Sequence, residues 1–386
     1  MSRGERILTS ADDAAAEGDV NLSPRRREWE AAHVGASARA LLDEDARYFL
    51  HQSLSTPCMN ALAGASGAWL TDVEGRRYLD FHGNSVHQVG HGHPRVVEAV
   101  KRALDTLPFS PRRFTNAYAV ALARRLVEAA PGDLNKVLFA PGGAEAIGMA
   151  LKLARVATGR HKTISMWDAF HGASLDAISI GGEAVFRRDA GPLLPGTEHV
   201  QPCDPRACHF GCGGTCNARC ADYVEYVLGK GLGCGVFPLA ALIAREGLDV
   251  AGDRALGHYT HEKSSVGCAA ALAALDVIDD EHLCERARRL GERSLARLRA
   301  MQQRLPVVGD VRGVGLLLAV ELVDPATKAP ARDLAERVLY ECLANGLSFK
   351  VGQGNVLVLS PALVIDEGDL DRALDVVEAA IVACST

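Results

Sequence analysis

Short apolar runs alternate with longer stretches of helical period from His93-Pro94 to about residue 270, and this alternation narrows the possible folds more than any other feature of the chain. Strands separated by crossover helices lie parallel, because a hairpin turn is too short to hold a helix. Tyr118–Ala130 carries a 3.6-residue period and stops at Pro131-Gly132, and Lys136–Ala140 is a short apolar strand. Gly142–Ala157 reads as a second helix, Lys162–Met166 as a second strand and Leu239–Ala244 as a later one. A large α/β domain over residues 95–270 with a mostly parallel central sheet is the expectation.

The flanks have a different style. Residues 1–35 show no apolar period and are expected to be a mobile leader, after which Arg39–Leu50 reads as an amphipathic helix. Gly67–Gly75 and Tyr78–Phe81 read as strand, turn and strand, so residues 36–94 form a small β-containing module. The tail, residues 271–386, alternates a long helix (Glu281–Arg304), a strand (Gly313–Glu321), a helix (Asp333–Asn345), a strand (Asn355–Leu359) and a last helix (Asp369–Ala383). With the entry module it makes a smaller α+β domain.

A formal net charge of −6, with no long Lys/Arg run, argues against nucleic acid or an anionic membrane as the main partner. No stretch serves as a secretory h-region or approaches membrane-spanning length, and a cytoplasmic location is the default expectation. A small molecule is the expected partner.

Pro141-Gly-Gly-Ala-Glu-Ala146 leads from a strand straight into a helix, which leaves backbone N–H groups free at a helix N-terminus, an anion site. Read alone, it is more simply a plain tight turn from strand to helix. Gly229-Lys-Gly-Leu-Gly233 places one lysine in a glycine-rich turn before a strand. Glycine gives a solvated lysine no partner, whereas a buried amine of depressed pKa, ready to form an imine, explains the setting.

Taken together, these stretches resemble the class III aminotransferases, pyridoxal 5'-phosphate (PLP) enzymes of fold type I. The matching pieces are Tyr78–Phe81, Gly90-His-Gly-His-Pro94, Pro141–Ala146 with Ala150–Arg155, Phe170-His-Gly172, Gly229–Gly233 and Val311–Leu316, in the family's order. The resemblance implies that Lys230 is the imine-forming catalytic lysine, that Gly143 and Ala144 hold the cofactor phosphate, and that Phe170, with His171 beside it, stacks on the pyridine ring. Thr260 falls where the family binds the phosphate of the neighbouring subunit's cofactor, which implies a homodimer with shared active sites. No metal ligand is implied.

Two departures from that pattern bear on chemistry. The family's Glu-Pro and Asp-Glu strand ends, the second supplying the carboxylate for the pyridinium nitrogen, are missing. The chain passes from Asp222–Leu228 directly to Gly229-Lys230, an omission on the order of 60 residues for two strand-plus-helix units near 228/229. In addition, Val358 stands where many relatives have the Arg that grips a substrate carboxylate, which disfavours an α-amino acid. Ser110–Phe114, His258–Lys263 and Leu347–Lys350 are similar to the branch that includes (R)-1-hydroxy-2-aminoethylphosphonate ammonia-lyase. By charge, Arg112, Arg113 or Lys350 could meet a phosphonate. Elimination of ammonia from a small primary amine, transamination to a keto acid, and an impaired remnant are the three readings.

Cys203, Cys208, Cys212, Cys216 and Cys220 crowd one loop, but their spacing lacks the paired Cys-x-x-Cys knuckles of zinc fingers, so a thiol-rich loop is favoured over a metal site. His87, His91 and His93 imitate a ligand cluster where the resemblance implies an ordinary loop.

Overall fold

The computed structural model describes residues 23–50, 61–83, 87–203, 210, 220–221, 223–224, 241–257 and 259–385. The chain divides into two compact units, one of Met1–Val97 with Ala273–Thr386 and the other of Glu98–Leu272.

The first unit opens with α1 (Pro24–His33) and α2 (Ala36–Tyr48). α1 lies inside the span expected to be a mobile leader, and that expectation is corrected for these residues. Ser23 caps the helix by accepting the Arg26 N–H at 3.0 Å, and Pro24 takes the first turn, where a missing N–H costs nothing. Trp29, 5% exposed, packs near Tyr340. One aromatic anchor holds this helix, so no apolar period betrays it.

β1 (Leu62–Ser66), β2 (Trp69–Asp72) and β3 (Arg77–Asp80) form an antiparallel meander. From the other end of the chain β10 (Leu347–Ser348) joins β3 in parallel, with Leu347 opposite Leu79. A second sheet has the order β11 (Lys350–Gly352), β12 (Val356–Leu359), β9 (Leu317–Leu322) and β8 (Val308–Val314), all antiparallel. The single strand expected over Gly313–Glu321 is thus a hairpin, because Gly315 adopts φ +55° and reverses the chain. α9 (Leu283–Arg304), α10 (Arg332–Ala344) and α11 (Glu367–Ser385) complete this unit. Its core is contiguous: Phe81, Leu290, Leu318, Leu339, Phe349 and Leu357 are all fully or almost fully buried.

α3 (Pro94–Thr106) and α8 (Ser265–Asp280) run across the boundary between the units. The second unit otherwise contains α4 (Ala117–Ala129), β4 (Leu134–Phe139), α5 (Gly143–Thr158), β5 (Thr163–Met166), α6 (Leu175–Ile180), α7 (Ala184–Arg187), β6 (Thr197–Val200) and β7 (Ala241–Arg245). Its strands differ from the expected continuous parallel sheet. Among the described residues they form two separate ladders, β5 parallel to β6 and β4 antiparallel to β7. No residue of β4 or β7 is fully buried. Val137, Leu138, Leu242 and Ile243 would be buried on both faces in a completed α/β sheet.

Candidate active site

β4 delivers the chain to Pro141-Gly142, and α5 starts at Gly143. Gly142 is the N-cap and offers no side chain, so no side-chain cap occupies the N–H groups of the first turn. A Cβ added at Gly143 would meet nothing within 4 Å, so space stands open at the positive end of a 16-residue helix. Glu145 folds back toward Gly142, its carboxylate 2.6 Å from where a Cβ there would lie.

After β5 the chain turns through Trp167–Gly172 and returns to this helix start. Gly172 has φ +112°, and a Cβ on it would lie 2.7 Å from the Ala144 Cβ. Only glycine permits both that backbone and that approach. The same turn carries Phe170 and His171. Phe170 is 52% exposed, with its ring 4.7 Å from Phe186. Burial holds the His171 imidazole below its ordinary pKa, and its Nε2 lies 3.5 Å from the Ser165 hydroxyl. Phe170, His171 and Gly172 line a small recess with Ile178, Glu183 and Arg187. Trp167 stacks on His199 at 4.5 Å, which fixes the start of the turn.

Thr260 is exposed and opens the turn Thr260–Lys263. Gly257, three residues earlier, lies against α5, where a Cβ on it would press on Met149. Tyr259, beside Thr260, has a phenol pushed up in pKa by burial, with the charges of Glu145, Asp176 and Glu262 adding to it. Glu262, 7% exposed, accepts from the Tyr259 N–H at 3.1 Å and from Arg112 at 3.4 Å. Arg112 also borders a cavity of about 290 Å³ with Lys136, Leu153 and Leu242. Lys230 and the cysteines between Cys203 and Cys220 lie outside the described residues.

The structure therefore draws Gly143, Ala144, Phe170 and His171 to one helix start, with Gly257, ahead of the Thr260 turn, against the same helix. Sequence reading missed Asp176 and the pairing of Arg112 with Glu262. Arg112, Tyr259 and Glu262 lie in the stretches Ser110–Phe114 and His258–Lys263 that carry the resemblance, but their contacts are set by the fold, which also brings Asp176 against Gly148 of α5. The donor set suits a phosphate ester: free N–H groups at a helix N-terminus, open space at Gly143, and an aromatic face one short turn away.

A family model described as aminotransferase class-III matches residues 52–227 and 208–381. The (R)-1-hydroxy-2-aminoethylphosphonate ammonia-lyase of Vibrio splendidus (strain 12B01) is 42% identical over 461 aligned positions, covering 97% of this chain and 96% of the relative. An alignment of 461 positions exceeds the 386 residues present by 75, so at least that many positions face a gap in this chain. Among solved structures, a Bacillus anthracis aminotransferase is similar with a TM-score of 0.79 at 25% identity, covering 90% of this chain and 99% of its own. A phospholyase from Arthrobacter in complex with phosphoethanolamine shares the fold, with a TM-score of 0.75 at 22% identity, over 89% of this chain and 99% of its own. No described helix is long and apolar enough to cross a membrane. Matched over most of its length by the family model and 42% identical to a lyase across almost its whole sequence, the chain belongs to the class III aminotransferase family of PLP enzymes.

Proposed function

We propose that the protein acts on a small primary amine bearing a phosphonate, of the 1-hydroxy-2-aminoethylphosphonate kind, and releases ammonia from it. The observation that carries this reading is the 42% identity to that ammonia-lyase over 97% of the chain. Val358, in place of the carboxylate-gripping Arg of many relatives, agrees with a substrate that is not an α-amino acid.

PLP, when bound, supplies an electron sink for a carbanion next to the amine. This chain's residues have the remaining tasks. The N–H groups at Gly143 and Ala144 bind the phosphate through the helix end, Phe170 covers the ring, and His171, kept neutral by burial, lies beside it. Lys230 would hold the aldehyde carbon of the cofactor, and its amine would move the proton of the substrate's amine-bearing carbon. Hydroxide leaves the adjacent carbon and departs as water with that proton. Water then returns to release ammonia and an aldehyde, so the net change is substrate to aldehyde plus ammonia. Arg112, Arg113 or Lys350 supplies the charge that meets the phosphonate. Thr260 serves the phosphate of a neighbouring subunit, in a homodimer.

Incubation of purified protein with the hydroxy-aminophosphonate and no keto acid should release ammonia, and Lys230→Ala should abolish that release together with any borohydride-sensitive absorbance near the visible edge. Ammonia formed only when a keto acid is supplied would replace the lyase by an aminotransferase.

A second reading, a catalytically impaired member, is favoured by the gap of at least 75 positions, by the two family-model stretches that meet near residues 208–227, and by the incompletely covered β4–β7 ladder. In this reading the carboxylate that holds the ring nitrogen protonated is missing, so the sink is weak. Cofactor absorbance without turnover would identify it.

A further inference from the structure

Asp80 ends β3 and is 3% exposed. Its Oδ1 accepts the backbone N–H groups of His82 and Gly83 at 3.0 and 2.9 Å, which turns Oδ2 toward two imidazoles. His91 Nε2 lies 2.9 Å from that oxygen, and His87 Nε2 lies 3.8 Å from it and 3.2 Å from the Asp80 carbonyl oxygen. One ligand-type atom from each residue lies within 4.8 Å of the other two. His87 is 6% exposed, yet its Nδ1 has no hydrogen-bond partner, so a buried imidazole uses only part of its capacity. His93 is not in the group; its Nε2 faces Glu281 at 3.4 Å.

Burial alone would raise the Asp80 carboxyl, but the bonds from His91, His82 and Gly83 and the charge of His87 outweigh it and keep the group ionised. Two imidazoles and one carboxylate suit Zn²⁺ and other borderline divalent ions, whose bonds of about 2.0–2.2 Å set tetrahedral ligand atoms roughly 3.3 Å apart. The observed separations of 2.9 and 3.8 Å straddle that spacing. The Oδ1 bonds are the kind of outer contact that orients a ligating carboxylate.

We infer that Asp80, His87 and His91 form a binding site for one divalent ion of the Zn²⁺ class, which ties the loop before α3 to the end of β3. On ligation His91 Nε2 and His87 Nε2 give up the hydrogens they present to Asp80, each ring keeping one hydrogen on Nδ1, and the ion takes their place. The site belongs to the other unit from the Gly143 turn and does not depend on the lyase reading.

The test uses the full chain, stripped with a chelator and titrated with Zn²⁺ and with Co²⁺ as a spectroscopic stand-in. One ion per chain is expected, with a cobalt spectrum free of thiolate charge-transfer absorption. Affinity should fall about 100-fold or more in His87→Gln and in His91→Gln, beyond the loss typical of an outer-contact change. His93→Gln, outside the ligand set, should bind as the parent does. Binding left unchanged in both ligand variants, a cobalt spectrum dominated by thiolate bands, or no uptake by the folded parent overturns the site. Circular dichroism identifies a variant that has lost its fold, and the parent's cobalt spectrum then decides alone.

Discussion

Gly172 shows how one residue positions the candidate site. Its φ of +112° and the 2.7 Å between a would-be Cβ and Ala144 mean that Gly172→Ala must move the Phe170–His171 turn off the start of α5. The backbone strain alone costs about 1–3 kcal/mol, so a lower melting temperature and weaker PLP binding should appear together. His199 reports on the same turn through acid. Burial, with the Arg187 charge adding, holds its pKa below the ordinary 6.5. The unfolded chain therefore binds the proton more readily than the folded one, and the associated stability is present above that ordinary value. It is lost as pH falls through the lower native value. Melting temperature should decline on acidification from about pH 7 toward 5, and His199→Gln should remove part of that slope. The open helix start at Gly143 was legible in the sequence because a glycine pair between a strand and a helix is unusual, whereas the glycines around Lys230 lie outside the described residues. The bond from the Tyr259 N–H to Glu262 and the Arg112–Glu262 pair were not legible, because the stretch His258–Lys263 does not say which of its side chains the fold brings together.

At the scale of elements, the close fit of α9 against the β8–β9 hairpin is the sharpest case. A Cβ at Gly291 would lie 2.0 Å from the carbonyl oxygen of Gly315, a backbone atom at a turn with little freedom. Gly291→Ala should destabilise by about 1–3 kcal/mol through overpacking, despite alanine's better helix propensity. Chemical denaturation that shows equal or greater stability would refute the contact. The sequence showed α9 by its long amphipathic period but not the hairpin, since seven apolar or glycine residues between Val314 and Val320 read equally as one strand. β4 and β7 were each visible as apolar runs. Their antiparallel pairing was not, because direction depends on which other strands lie between them.

For the molecule as a whole, the contrast lies between a unit with a contiguous core and one whose β4 and β7 hold no fully buried residue. Local stability follows buried apolar contact, so limited proteolysis should cut within Glu98–Leu272 well before Ala273–Thr386, and amides of β4 and β7 should exchange at least about 10-fold faster than those of β9 and β12. Uniform protection would show that the second unit is completed by contacts beyond these ladders. The sequence by itself determined the family, and it is the source of the proposed phosphate turn, imine-forming lysine and break near residue 228, since each is read from consecutive residues. Only the tertiary structure decided that α1 packs through Trp29, that β10 returns to pair with β3, and that Asp80 meets His87 and His91. Each of those depends on long-range packing, where the partners of a buried group are set by the closing of the whole core rather than by neighbours along the chain.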